Sequence, residues 1–300
     1  METAEKANGA MNEIFDSRND DTRAFKIGVT LNAGFIILEA VFGLVAGSLA
    51  LLADAGHNLS DLLGLLMAWG ASYLARRKAT EKRTYGWRKS TILAALFNAV
   101  FLMMVIGAIG WEAVHRFMRP ATVAGGTVIW VAAVGVAING LTALLFMAGR
   151  KRDLNIQGAF LHMAADAGVS AGVVVVGVGM MVTGWMWLDP LVSLLIVAII
   201  FIGTWGLLKE SFNLALDAVP RHIDAGEVKD YLAGRPEILH IRDLHIWGMS
   251  TTEVALTAHM EKAEPSDGYA LIEEISRDLK DRFGIGHATI QWEKSGRTHF

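Results

Sequence analysis

The sequence predicts an α-helical integral membrane protein with six transmembrane helices, followed by a small C-terminal α/β domain. Three observations support this prediction. The chain of 300 residues is 53% hydrophobic, and its mean hydropathy of +0.39 lies well above that of a typical soluble protein. Its apolar residues form runs long enough to cross a bilayer. After about residue 210 the composition becomes that of a soluble domain.

Short polar connections divide the apolar runs into six predicted spans. A polar segment, 1–26, precedes them, and we expect no cleavable signal peptide there because the segment lacks an apolar stretch. Residues 27–210 then form the predicted membrane domain and residues 211–300 the C-terminal domain. The predicted spans are 27–47, 49–74, 90–115, 125–148, 156–183 and 188–209.

Basic residues are concentrated on one side of the predicted spans. The connections on the other side hold few basic residues, namely Arg116 and Arg119 between the third and fourth spans. The positive-inside rule therefore puts both termini in the cytoplasm, which an even number of spans allows. We expect a multi-pass protein of the inner (plasma) membrane, surrounded by the lipid bilayer and without a nucleic acid partner. The clustered basic residues are Lys6, Arg18, Arg23, Lys26, Arg76, Arg77, Lys78, Lys82, Arg83, Arg88, Lys89, Arg150, Lys151 and Arg152.

The C-terminal domain has the predicted element order α-β-β-α-β, which indicates a small sheet with helices on one side. Alternation in the first strand puts Ile241, Asp243 and His245 on one face. It puts Arg242 and Leu244 on the other face. The predicted elements are the helix Ala225–Ala233, the strands Ile238–Gly248 and Thr252–Lys262, the helix Ser266–Phe283 and the strand Ala288–Glu293.

Two predicted spans each carry a histidine followed four residues later by an aspartate, His57 with Asp61 and His162 with Asp166. Positions i and i+4 share one face of a helix. Packed side by side, the two helices would point two imidazoles and two carboxylates at a common centre, a ligand set suited to a tetrahedral divalent metal. Thiolate ligands and disulfides are excluded because the chain has no cysteine. The alternative interpretation is plain hydrogen bonding between helices.

The charges of this set favour a metal that exchanges with protons. Two carboxylates and two neutral imidazoles balance one divalent cation, so the loaded site is tolerable inside a membrane. Without the cation the carboxylates repel each other, and protons would take its place. Competition between metal and protons for one site is the physical basis of an exchanger. We expect no catalytic and no cofactor-binding residues.

Two other classes of function stay open from the residues alone. A membrane metal sensor would bind the ion without moving it. An intramembrane zinc hydrolase would need three ligands and an open position for water. The two matched pairs leave no obvious open position, and the sequence contains no His-Glu-x-x-His motif.

Other polar residues in the spans have less specific interpretations. Glu39 and Asp54 either line a hydrated path to the site or form hydrogen bonds between helices. Asp189, directly before Pro190, is expected to cap the start of the last span. In the C-terminal domain, neighbouring predicted strands carry a second candidate metal site, with scattered surface histidines as the alternative. Its members are His245, His259, His287 and Glu293.

Four stretches of the chain resemble the cation diffusion facilitator family, close to its bacterial zinc-exporting branch. They are SLALLADAGHNLSD at 48–61, TYGW at 84–87 with ILAALFN at 92–98, NIQGAFLHMAAD at 155–166, and DLHIW at 243–247. The resemblance covers almost the whole chain after about residue 26.

The resemblance implies a homodimeric, proton-coupled exporter of divalent cations with six transmembrane helices and a ferredoxin-like cytoplasmic domain. It implies that His57, Asp61, His162 and Asp166 form the transport site. A histidine at the position of His57 goes with a preference for Zn²⁺ in this family, although Cd²⁺ or Co²⁺ would also fit the ligands. One departure affects the second candidate site, because many members have His-Asp-Leu-His where this chain has Arg242 in the first place.

Overall fold

A computed structural model describes residues 30–119, 121–147, 154–262 and 268–293. Six long helices precede the small domain within these residues. They are α1 (Thr30–Ala46), α2 (Leu49–Ala75), α3 (Ser90–Met118), α4 (Gly125–Met147), α5 (Leu154–Thr183) and α6 (Leu188–Ala215). The predicted polar N-terminal segment lies outside the described residues.

Four of the described helices are long and apolar enough to cross a membrane, namely α3, α4, α5 from Ile156, and α6. The six predicted spans are therefore confirmed as helices, but only four of them as continuous apolar spans. The helix α1 is apolar but shorter over its described range. The helix α2 has 27 residues, and Asp54, His57 and Asp61 interrupt its apolar sequence.

The chain forms two compact units, and α2, α3 and α6 each contribute residues to both. The first unit contains residues 1–63 and 101–203. Its core is built from buried apolar side chains such as Phe35, Leu51 and Ile106. Close packing of α4 on α5 depends on Gly177, since a Cβ atom there would lie 2.6 Å from Ile129 Cγ1.

Asp189 links the starts of two helices. It lies in the first turn of α6, as predicted, but its carboxylate caps α2 rather than its own helix. The Ser48 hydroxyl donates to it at 2.5 Å and the Leu49 amide at 2.8 Å. The Ala50 amide lies at 3.4 Å. Free amides at a helix start need acceptors, and here the acceptor comes from a residue 140 positions away.

Replacing Asp189 by alanine is expected to lower the free energy of unfolding by about 2 kcal/mol, because buried donors at the start of α2 lose their acceptor. Asp189→Asn keeps one side-chain oxygen and should lose less. Thermal unfolding of the purified protein measures both changes. Equal melting temperatures for the alanine variant and the native protein would contradict the capping role.

The turn between α1 and α2 receives two further hydrogen bonds. Arg116, near the end of α3, donates to the Gly47 carbonyl at 2.6 Å. The Ala124 amide, just before α4, donates to the Ala46 carbonyl at 3.1 Å. Gly47 has φ = 67°, a left-handed conformation that glycine adopts without strain. Residues of α3 and α6 and the segment just before α4 thus all bind this turn or the start of α2.

The second unit contains residues 64–100 and 204–300. Its C-terminal part begins with α7 (Ala225–Ala233), which Asp224 caps through the amides of Gly226 and Glu227. The strands follow in the order β1-β2-β3, with β1 and β2 antiparallel and β2 and β3 parallel. The remaining elements are β1 (Ile238–Gly248), β2 (Val254–Lys262), α8 (Gly268–Phe283) and β3 (Ile285–Glu293).

The predicted order of these five elements is confirmed, with shifts at the strand starts. The strand β2 starts at Val254 rather than Thr252, and β3 starts at Ile285 rather than Ala288. The earlier start of β3 follows from Gly284, whose φ of 71° turns the chain from α8 directly into the strand. The residues 266–267 of the predicted helix lie outside the described residues.

The predicted alternation in β1 is wrong at one point. The register shifts between Ile241 and Asp243, as in a β-bulge. Ile241 therefore packs against the core together with Leu244, although it was predicted to share a face with Asp243. The same shift brings Arg242 to Glu261 and Glu293 instead of to the core.

Candidate metal centre

The two His-x-x-x-Asp pairs meet in the first unit. On α2, His57 Nε2 lies 3.6 Å from Asp61 Oδ2. On α5, His162 Nε2 lies 3.5 Å from Asp166 Oδ2. The two helices are joined by His162 Nε2 and Asp61 Oδ2 at 3.1 Å. The two imidazole rings are 6.1 Å apart and nearly perpendicular. We call these four residues the His/Asp cluster.

The members of the His/Asp cluster differ in how far they are buried, and some of their polar atoms lack a hydrogen-bond partner in the described residues. Asp166 is buried, with 5% of its side chain exposed, whereas about a third of each of the other three is exposed. His57 Nδ1 and Asp166 Oδ2 are buried atoms without a hydrogen-bond partner in the described part of the chain. Buried polar atoms normally have partners.

The cluster consists of paired contacts rather than a formed metal shell. Within residues 30–119, 121–147, 154–262 and 268–293, no group of three or more His, Asp or Glu side chains already surrounds one point as metal ligands would. The pair distances nevertheless suit zinc, because two atoms bound to one tetrahedral Zn²⁺ lie roughly 3.3–3.4 Å apart.

A second group of polar residues lies in the same unit and is fully buried. Asn58 Nδ2 lies 3.5 Å from Glu39 Oε2, and the Ser170 hydroxyl donates to Asp54 Oδ2 at 3.4 Å. No lysine or arginine in the described part of the chain pairs with Glu39 or Asp54. These contacts support the interpretation of Glu39 and Asp54 as hydrogen-bonding residues between helices.

The second candidate site does not form as one group. The strand registers put His245, His259, His287 and Glu293 on the same open face of the sheet. However, His287 and Glu293 are six residues apart on β3, about 20 Å at 3.3 Å per residue. One metal ion cannot bind both.

Only His259 and Glu293 of these four are in contact, at 2.8 Å. His245 lies 3.0 Å from Asp243, and the ring of His287 stacks edge-on against Tyr85. The prediction of a single four-residue site is therefore corrected to one His–Glu pair. Distance along a strand could have revealed this from the sequence, but the partners of His245 and His287 could not be foreseen.

Arg242 lies beside the pair formed by His259 and Glu293. Its guanidinium forms an ion pair with Glu261, which is 2% exposed, and lies 3.7 Å from Glu293 Oε2. Arg242, His259 and Glu293 line a cavity of about 840 Å³ at the end of the sheet, together with His240. A fixed positive charge thus lies beside the carboxylates of both Glu261 and Glu293. The bulge that brings Arg242 there was not visible in the alternation.

The structure defines a class of protein: a multi-helix membrane protein with a polar His/Asp cluster in its helical unit and a small α/β domain at its C-terminus. Comparison with protein families matches residues 25–214 to the cation efflux transmembrane domain and residues 220–295 to the cytoplasmic domain of cation efflux proteins. The chain belongs to this family, the cation diffusion facilitators that its motifs resemble. It is accordingly a membrane transporter rather than an enzyme.

Three relatives match nearly their full length. The zinc transporter ZitB of Escherichia coli is 38% identical over 271 residues, 90% of this chain and 86% of that protein. The metal cation efflux system protein CzcD of Cupriavidus metallidurans is 35% identical, covering 93% and 88%. A Bacillus subtilis protein named cadmium, cobalt and zinc/H(+)-K(+) antiporter is 33% identical, covering 91% and 89%.

Proposed function

We propose that the protein is an antiporter that exports Zn²⁺ from the cytoplasm in exchange for protons. The observation that carries this proposal is the convergence of His57, Asp61, His162 and Asp166 from two helices. The zinc, cadmium and cobalt in the names of relatives support a zinc-like substrate, so Cd²⁺ and Co²⁺ are expected as competing substrates.

Ligand chemistry supports zinc as the preferred ion. Two nitrogen and two oxygen ligands in a tetrahedral arrangement suit borderline Zn²⁺, whereas Mn²⁺ and Mg²⁺ prefer more oxygen ligands and six-fold coordination. Two carboxylates balance the charge of the ion, and the imidazoles provide selectivity. In the proposed assignment His57 and His162 select the ion, and Asp61 and Asp166 exchange it for protons.

Proton exchange follows from the same ligands. Metal binding requires deprotonated ligands, so binding releases protons and acid weakens it. When the ion leaves, two carboxylates and two imidazoles remain close together in a partly buried setting. Protons are the available cations that relieve this repulsion. Alternating exposure of the His/Asp cluster to the two sides would then couple zinc export to proton entry.

The proposed topology has six spans with both termini in the cytoplasm. In addition to the four apolar helices, α1 and α2 cross the membrane, with the polar side chains of α2 facing the His/Asp cluster. The domains are residues 1–26, the transport domain 27–210 and a cytoplasmic domain 211–300 that supports a homodimer. The match of residues 220–295 to the cytoplasmic domain of cation efflux proteins supports this assignment.

Zinc uptake into proteoliposomes tests the proposal. Purified full-length protein is reconstituted, zinc is added outside, and a zinc-sensitive dye is trapped inside. The expected result is uptake well above that of protein-free vesicles. Tight zinc binding to the protein without uptake would instead favour a metal sensor and overturn the antiporter.

The C-terminal domain offers a separate test of the role of Arg242. We expect Arg242→His to strengthen zinc binding at the end of the sheet by at least about tenfold, because it removes a competing cation and adds a ligand beside His259 and Glu293. Calorimetric titration of the full-length protein carrying Asp61→Asn and Asp166→Asn isolates this site.

The matched control for that titration is Arg277→His, on the exposed face of α8. It adds the same imidazole without removing the guanidinium from the end of the sheet. Equal zinc binding by the two variants would contradict the role given to Arg242.

A further inference from the structure

The second unit contains a cavity of about 940 Å³ that is separate from both candidate metal sites. Its walls come from the last turns of α2, the connecting segment 76–89, the first turns of α3, and the end of β1. The cavity is apolar at one end and basic at the other. The residues used below are Gly70, Ala71, Lys82, Arg83, Trp87, Leu93, Ala94 and Phe97.

The apolar end is a groove between α2 and α3. Small residues such as Gly70, Ala71 and Ala94 form its floor, and Leu93 and Phe97 border it. Leu93 is 57% exposed and Phe97 is 64% exposed. A Cβ atom at Gly70 would meet nothing within 4 Å. The groove is therefore open at Gly70 and presents an apolar surface there.

The basic end contains two cationic side chains that pair with no carboxylate in the described part of the chain. Arg88 and Lys89 also line the cavity, but they pair with Glu253 at 3.0 Å and Asp217 at 2.6 Å. In the described part of the chain no carboxylate pairs with Lys82 or Arg83. Their charges are available to a ligand, which must be negative.

The connecting segment holds one of these two cations, Arg83, in place. Thr80 and Arg83 exchange backbone hydrogen bonds of 3.0 Å in both directions. The guanidinium of Arg83 lies 3.9 Å above the ring of Trp87, a cation–π contact. Gly86 has φ = 70° and donates to the Arg83 carbonyl at 2.8 Å. Contacts within the segment itself thus fix the position of Arg83.

We propose that this cavity binds an anionic phospholipid, with its phosphate group at Lys82 and Arg83 and an acyl chain along the groove of Gly70 and Phe97. The inference rests on the proposed topology, in which α2 and α3 cross the membrane and the segment 76–89 lies at its cytoplasmic surface. Basic residues at that surface attract anionic headgroups, and aromatic residues such as Trp87 favour the same depth.

Native mass spectrometry of the full-length protein in detergent tests the proposal without measuring zinc transport. Phosphatidylglycerol and phosphatidylcholine are added separately. The native protein should retain phosphatidylglycerol preferentially. The double variant Lys82→Ala/Arg83→Ala should bind it about 30-fold more weakly, from about 1 kcal/mol for each basic residue near the membrane surface. Its control is Arg76→Ala/Lys78→Ala, which removes the same charge beside the cavity.

A second variant blocks the groove without changing charge. Gly70→Phe should displace the acyl chain and reduce retention of phosphatidylglycerol at least tenfold. Gly140→Phe in α4, where a Cβ atom also meets nothing within 4 Å, should leave retention unchanged. Both variants are checked for folding by gel filtration.

Several outcomes would overturn the proposal. Equal retention of the two lipids, or unchanged retention in both cavity variants, would exclude a specific anionic lipid site. Displacement of phosphatidylglycerol by glycerol 3-phosphate would indicate a soluble phosphate ligand instead. A change in the dimer fraction without a change in lipid retention would indicate that a second copy of the chain covers the cavity.

Discussion

Zinc uptake into proteoliposomes is expected to fall about 100-fold or more when Asp166 is replaced by asparagine. Asp166 is the most buried member of the His/Asp cluster, and the substitution removes a negative charge that balances the ion. Changes in residues that only support metal ligands already cost 10–100-fold in affinity or activity. Asp61→Asn should have an equal effect, because Asp61 contacts both histidines. Initial uptake rates at matched protein density give the comparison.

The control for these variants is Asp230→Asn, on the exposed surface of α7, which should leave uptake unchanged. Circular dichroism and gel filtration establish that Asp61→Asn and Asp166→Asn fold. Uptake at the native rate by both folded variants would remove the His/Asp cluster from the transport pathway.

An imposed pH difference is expected to drive zinc accumulation against its own gradient. In vesicles that are acidic inside, outward proton movement should pull zinc in. Each exchanged proton contributes 1.36 kcal/mol per pH unit. With the membrane potential held at zero, one pH unit should therefore raise the final ratio of internal to external zinc tenfold for each proton exchanged.

The slope of this dependence gives the number of protons per zinc ion. A protonophore applied after accumulation should release the zinc, and Asp166→Asn vesicles serve as the transport-deficient control. A final zinc ratio of one at every pH difference would mean that the protein lets zinc equilibrate without coupling to protons.

The spacing of residues along the sequence was sufficient to predict the two His-x-x-x-Asp pairs and the helices that carry them. An i, i+4 spacing sets which side chains share a helix face, and apolar length sets which helices are long enough to span a membrane. The convergence of His57 with His162 then needs only that α2 and α5 pack together. Alternation likewise predicted the order of the elements in the C-terminal domain.

Contacts between distant residues could not be predicted in this way. The acceptor for the first amides of α2 is Asp189, and nothing in the local pattern around Ser48 names it. The bulge before Asp243 changes which face Arg242 occupies, although the apolar alternation continues on both sides of it. Each of these features depends on a residue that is distant in the sequence and that folding brings into contact.

The bonds of Asp189, Arg116 and Ala124 to the turn before α2 have a mechanical consequence. They fasten the start of α2 to α3, to α6 and to the segment before α4. His57 and Asp61 lie 9 and 13 residues beyond Ser48, so at 1.5 Å per residue they are about 14 and 20 Å from the start of α2. A tilt of a few degrees about this bonded start would move His57 by about 1 Å. The far end of α2 would then travel more than twice as far as His57.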